Sequence, residues 1–71
     1  MDINEIENLQ KEFLNIIADY ETGKRTLDLL NRIMSLLMQI NSLVDSILEK
    51  DLQNSLRIMG YELYRIRDFF S

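Results

Sequence analysis

Apolar residues recur at helical spacing along the whole chain, in three segments separated by short polar stretches. In the first segment, residues 3–21, they repeat at intervals of three and four, which places them on one face of an α-helix. The residues of this face are Ile6, Leu9, Phe13, Ile16 and Tyr20, and Leu14 and Ile17 are predicted to widen it. The pattern predicts an amphipathic helix over 3–21.

Both ends of this first helix carry capping signals. Asp2 and Glu5 have the spacing of a capping box, in which one side chain accepts from a free backbone N–H and the other reaches back. Gly23 suits the left-handed position just beyond a helix end. We therefore expect the chain to turn at residues 22–24.

The second segment, residues 25–48, is the most apolar. Its apolar positions cover roughly half of the helix circumference, whereas an ordinary amphipathic helix needs an arc of about 100°. We therefore expect this helix to pack against two neighbours or more. The residues of this arc are Leu29, Leu30, Ile33, Leu36, Leu37, Ile40, Leu43, Val44, Ile47 and Leu48.

The third segment, residues 51–70, has a narrow apolar seam with a weaker apolar group roughly opposite it. Because the two groups lie on different faces, one of them is expected to lack a partner within the chain. The seam consists of Leu52, Leu56, Met59, Leu63, Ile66 and Phe70, and the opposite group of Ile58, Tyr61 and Phe69, with Arg65 among them. Met34 and Met59 are both expected to fill the core, and Asn41 to lie at its edge.

The junction between the second and third segments leaves two arrangements open. Asp51 could cap a new helix, which predicts an antiparallel bundle of three helices over 3–21, 25–48 and 51–70. Alternatively, the helix runs unbroken from 25 to 70 and forms a hairpin with the first. Proline is absent and glycine occurs only at Gly23 and Gly60, so both arrangements are all-α, within one domain over 1–71.

Both arrangements leave apolar surface uncovered in a single chain, which favours a homodimeric bundle or a protein partner. The expected dimer interface uses the apolar arc of the second helix, at Leu29, Leu36, Ile40, Leu43 and Ile47. The expected partner-binding face is on the third helix, because aromatic residues and arginine are enriched at binding hot spots. Its residues are Ile58, Tyr61, Arg65 and Phe69.

The composition removes most catalytic and metal-binding chemistry. Cysteine and histidine are both absent, which excludes the usual structural zinc sites and acid–base catalysis by histidine. Glu5, Glu12 and Asp19 recur every seven residues, and we interpret them as a solvated charged edge rather than as metal ligands. The sequence therefore predicts a protein that is not an enzyme and that has no cofactor and no metal.

The net charge of −4 is unevenly distributed. Residues 1–22 carry six acids and one lysine, whereas residues 49–71 carry four charges of each sign. The basic residues of the third segment are interleaved with aromatic ones, an arrangement that can contact nucleic-acid phosphates and bases. They are Lys50, Arg57, Arg65 and Arg67, with Tyr61 and Tyr64 between them.

Two function classes remain. The first is a non-enzymatic protein–protein interaction module: a small helical adaptor, inhibitor or chaperone-like regulator that acts through apolar helix faces. The alternative is a nucleic-acid-associated regulator that uses the arginine and tyrosine side chains of the third helix. The acidic N-terminus does not resemble a secretory signal, and no apolar stretch is long enough to span a membrane, so we expect a cytoplasmic location.

Overall fold

Three antiparallel helices form the protein in the computed structural model, which describes residues 3–70. They are α1 (Ile3–Glu21), α2 (Leu27–Val44) and α3 (Lys50–Asp68). Helix α2 packs against both of the others, and short turns connect each pair. The predicted all-α bundle of three helices is confirmed, and the alternative hairpin with one long C-terminal helix is wrong.

The turn after α1 is built on Gly23, as its sequence position predicts. Gly23 has a positive φ of 93°, a conformation that costs little only for glycine. The Gly23 N–H donates to the Tyr20 carbonyl, and the Lys24 N–H donates to the Asp19 carbonyl, both at 3.1 Å. These two bonds form a Schellman motif. The predicted capping box depends on Asp2, which lies outside the described residues.

Helix α2 begins at Leu27, two residues later than predicted, because Thr26 caps it. Thr26 has an extended backbone, and its Oγ1 accepts from the Leu29 N–H at 3.1 Å. Threonine is a favoured N-cap because its hydroxyl satisfies a backbone N–H that has no partner inside the helix. Arg25 therefore belongs to the turn.

Helix α2 ends at Val44, so the predicted extension to Leu48 is wrong. Gln53 Nε2 donates to the Val44 carbonyl at 3.0 Å and satisfies one of the helix-terminal acceptors. Ile47 remains buried although it lies in the turn, whereas Leu48 is 98% exposed. The N-cap of α3 is Glu49, without a side-chain capping bond, so the expected cap at Asp51 is also wrong.

The core is apolar throughout and lies between α2 and its two neighbours. The described residues include no buried polar or charged side chain. The seam predicted for α3 is confirmed: four of its members are buried, and Leu52 and Phe70 pack against them. The buried core residues are Ile6, Leu9, Ile16, Leu29, Ile33, Leu36, Leu37, Ile40, Ile47, Leu56, Met59, Leu63 and Ile66.

Three apolar residues assigned to buried faces are on the surface instead. Leu14 does not widen the buried face of α1, because it is 63% exposed. Met34 does not fill the core, because its side chain is 40% exposed and lies at the surface beside Arg67 of α3. Leu48, the last residue of the predicted apolar arc, is in the turn. A helical spacing rule assigns residues to a face, but it does not say how far the neighbouring helices reach around that face.

Candidate protein-binding surface

A continuous strip of exposed side chains runs along α3 on the face opposite the core. We call it the α3 strip and define it as Ile58, Tyr61, Arg65 and Phe69. Ile58 is 62% exposed, Tyr61 72% and Phe69 67%. The spacing of three and four residues places all four side chains on one side of the helix. These are the residues that the sequence suggests for partner binding.

The position of the α3 strip follows from the two faces of the helix. Leu56 and Leu63 are fully buried in the core, so the residues on the opposite side of α3 point away from it; of the strip, Phe69 also lies against Tyr20 of α1. Arg65 donates to Glu62 one turn away, and this hydrogen bond raises the pKa of the arginine. The one cation of the α3 strip is thus balanced by an acid beside it.

The C-terminal end of the α3 strip rests against the end of α1. The Tyr20 ring lies 6.4 Å from the Phe69 ring and 6.5 Å from the Phe70 ring, between ring centroids. The guanidinium of Arg25 lies 3.7 Å from the centroid of the same Tyr20 ring, which is a cation–π contact. These contacts hold Phe69 in place while most of its surface remains accessible.

The residues predicted for a dimer interface lie mostly inside the chain's own core. Leu29, Leu36, Ile40 and Ile47 are buried, and Leu43 is partly buried. Helices α1 and α3 cover the wide apolar arc of α2 that motivated this prediction. These side chains have almost no surface left for a second subunit in this fold, so a dimer would have to use other residues.

Two of the three arginines considered for nucleic-acid binding already have contacts within the chain. Arg65 pairs with Glu62. Arg67 lies 4.9 Å from the Tyr64 ring centroid and 3.9 Å from an Asp68 oxygen. Both contacts reduce the positive charge that phosphates would meet, which weakens the nucleic-acid interpretation.

The acidic edge of α1 contains a specific ion-pair network that sequence reasoning missed. Arg32 of α2 donates from Nε to Glu12 at 3.1 Å and from Nη1 to Asp19 at 2.7 Å. The hydrogen bond from Arg32 is the main reason that the pKa of Asp19 is lowered. Lys24 lies 3.5 Å from the same carboxylate. The seven-residue spacing of the acids was the available signal, and Arg32 is the cation opposite them.

A second surface feature, absent from the sequence-based predictions, is a groove between α2 and α3. Gly60 is buried at the helix contact, and a Cβ there would meet only Ile40 Cγ2, at 3.9 Å. The missing side chain leaves a depression beside it. This depression is lined by Ile40, Asn41, Val44, Arg57, Gly60, Tyr61 and Tyr64. An isolated glycine inside a helical pattern was the signal that could have indicated it.

The described residues include no cluster of three or more acidic side chains arranged to hold a metal ion. None of the described helices has the length and apolar character needed to cross a membrane. Comparison of the chain with protein-family models, curated proteins and solved structures finds no match. The chemistry of the surface is therefore the basis for a functional proposal.

Proposed function

We propose that this protein is a non-enzymatic protein–protein interaction module that binds through the α3 strip. The observation that carries the proposal is the exposure of Ile58, Tyr61 and Phe69 along one side of a helix whose opposite side forms the core. Large apolar side chains grouped in this way are typical of binding sites, whereas single exposed ones are ordinary. An adaptor, an inhibitor or a chaperone-like regulator would use such a strip in the cytoplasm.

The chemistry of the α3 strip suits a binding hot spot. Complete burial of an Ile or Phe side chain contributes about 1.5–3 kcal/mol, and these residues are still more than half exposed. Tyrosine and arginine are the residue types most enriched at hot spots, and Tyr61 lies at the centre with Arg65 beside it. Covering the strip would therefore stabilise a complex without any rearrangement of the core.

The partner that we propose first is a second copy of this chain. Arg65 and Glu62 balance each other, so two strips can approach without net repulsion even though the whole chain is acidic. A second α3 strip would also offer apolar side chains of the same kind at the same helical spacing. This homodimer uses exposed residues and leaves the core positions Leu29, Leu36 and Ile40 within each chain.

A photo-cross-linking residue placed at Tyr61 would identify what covers the α3 strip. The matched control is the same residue at Asn15, an exposed position of α1. We expect the purified protein to give a cross-linked dimer from position 61 and not from position 15. Cross-links from position 61 to a different protein in cells would support the interaction function but show that the partner is not a second copy of this chain. No adduct at 61 in either setting would contradict the proposal.

A further inference from the structure

A second surface of the molecule carries charge as well as apolar side chains: the groove between α2 and α3. We call it the α2–α3 groove. Its centre is at Gly60, with Arg57, Tyr61 and Tyr64 along one wall and Asn41 on the other. Towards the C-terminus of α3, a second depression is lined by Met34, Arg67 and Asp68, and an Arg67 nitrogen lies 4.0 Å from the Met34 sulfur. We count both depressions as the α2–α3 groove.

The α2 wall of the groove is uncharged. Between Arg32 and Asp45, helix α2 has no acidic or basic residue. Its exposed side at the groove instead presents Met34, which is 40% exposed. Methionine side chains repack easily around different partners, so this wall is an adaptable apolar surface.

The α3 wall carries two cations, Arg57 and Arg67, placed ten residues apart. At 1.5 Å per residue they are about 15 Å apart along the helix. Arg57 is exposed, and among residues 3–70 it has no hydrogen bond or ion pair. Two tyrosines, Tyr61 and Tyr64, lie between the cations, and the Tyr64 hydroxyl accepts from Asn41 Nδ2 at 3.3 Å. Asp68 lies 3.9 Å from an Arg67 nitrogen and partly balances its charge.

We propose that the α2–α3 groove binds an acidic amphipathic helix of a partner protein. The partner's apolar residues would lie on Met34 and the two tyrosine rings. One carboxylate would pair with Arg57, and a second, ten or eleven residues along the partner helix, would compete with Asp68 for Arg67, since this spacing matches the separation of the cations. The partner helix would become the fourth helix of the bundle. This proposal does not depend on the function of the α3 strip, although Tyr61 borders both surfaces.

The charge distribution favours an acidic protein segment over a nucleic acid. Nucleic-acid binding is dominated by phosphate contacts, typically from several cations, and this groove offers two. Met34 also has no role on a phosphate backbone, whereas it matches the apolar side of a helix.

The test uses a fluorescent synthetic peptide of roughly 18 residues, five helical turns, with a leucine face and glutamates eleven residues apart. The matched probe has lysine in place of each glutamate. Fluorescence anisotropy is expected to give about tenfold or tighter binding for the acidic peptide, since opposite charges across an interface set partner preference. The Arg57→Glu variant is expected to lose that preference. Lys11→Glu makes the same charge change on an exposed position of α1 and is expected to retain it.

The binding site is then mapped by amide chemical shifts of the labelled protein. Changes in the amide chemical shifts of Asn41, Gly60 and Tyr64 would support binding in the groove. Shifts confined to Ile58 and Phe69 would overturn it and leave the α3 strip as the binding surface. Equal affinity for the two peptides, or tighter binding of a single-stranded oligonucleotide than of the acidic peptide, would also overturn it. If Arg57→Glu does not fold, Asn41→Asp provides a second test, because an acid in the α2 wall of the groove repels the acidic peptide.

Discussion

Arg32 on α2 contacts Asp19 on α1 at 2.7 Å and Glu12, two turns earlier on α1, at 3.1 Å. One guanidinium therefore holds two positions of the neighbouring helix. The side chains of Arg32 and Asp19 are each about one-third exposed, at 31% and 30%. The contact fixes the rotation of α1 relative to α2 at the edge of the apolar core.

The Arg32 contact predicts how stability changes in acid. The pKa of Asp19 is lowered, chiefly by the hydrogen bond from Arg32. The contribution of Asp19 is therefore complete above the ordinary pKa of an aspartate and is lost as the pH falls through the lowered folded value. In Arg32→Gln, we expect the pKa of Asp19 to rise towards the ordinary value and the loss of stability on acidification to become shallower. Carbon-detected NMR titration of the carboxyl groups measures the pKa, and an unchanged value in the variant would contradict the assignment.

The two glycines are expected to respond in opposite directions to alanine. At Gly60 the added Cβ makes an ordinary van der Waals contact with Ile40, so Gly60→Ala should stabilise the protein by about 0.5–1 kcal/mol through helix propensity. At Gly23 the positive φ makes Gly23→Ala destabilising by about 1–2 kcal/mol. Urea unfolding of both variants measures the change in the free energy of unfolding and hence its sign in each. A destabilised Gly60→Ala would mean that α2 and α3 cannot accept even a methyl group.

Core and surface positions of α3 should differ sharply in their tolerance of truncation. Leu63 is fully buried, so Leu63→Ala is expected to cost about 2–5 kcal/mol, a large fraction of the stability of so small a domain. Ile58→Ala removes a side chain that is already in solvent and should change stability by about 0.5 kcal/mol or less at low protein concentration. Thermal unfolding followed by circular dichroism separates the two. Similar losses would place Ile58 in the core.

The first turn of α2 should depend on Thr26. Thr26→Ala removes the oxygen that accepts from the Leu29 N–H and is expected to cost about 1 kcal/mol. Thr26→Ser keeps the acceptor and should be nearly neutral. Glu49→Ala is the matched control, because the N-cap of α3 makes no side-chain capping bond. A loss in Glu49→Ala as large as that in Thr26→Ala would show that the capping bond is not the cause.

Helical spacing was sufficient to predict the three helices and most of the core, because each helix buries one face. It failed at the end of α2 for a physical reason. Ile47 is buried from within the turn, and its position in the sequence continues the apolar spacing of Ile40 and Leu43. A buried turn residue at helical spacing looks like one more helical residue. The bonds from Gln53 to the Val44 carbonyl and from the Ser46 N–H to the Leu43 carbonyl show where the helix stops.

The surface was predictable in part. The second apolar group of α3 was visible in the sequence because it lies opposite the core seam. The α2–α3 groove was not, since it depends on the side of α2 against which α3 packs. The Arg32 network depends likewise on the rotation of α1 about its axis, which sequence periodicity does not determine.

Sedimentation equilibrium tests the central claim, that the α3 strip is covered by a second copy of the chain. The proteins compared are the wild type, Ile58→Ser and Leu14→Ser; Leu14 is 63% exposed on α1 and Ile58 is 62% exposed on the strip. We predict that the wild type and Leu14→Ser associate to dimers at high micromolar concentration and that Ile58→Ser remains closer to the mass of one chain. A wild type that stays monomeric over the whole range, or equal weakening by both substitutions, would contradict the account.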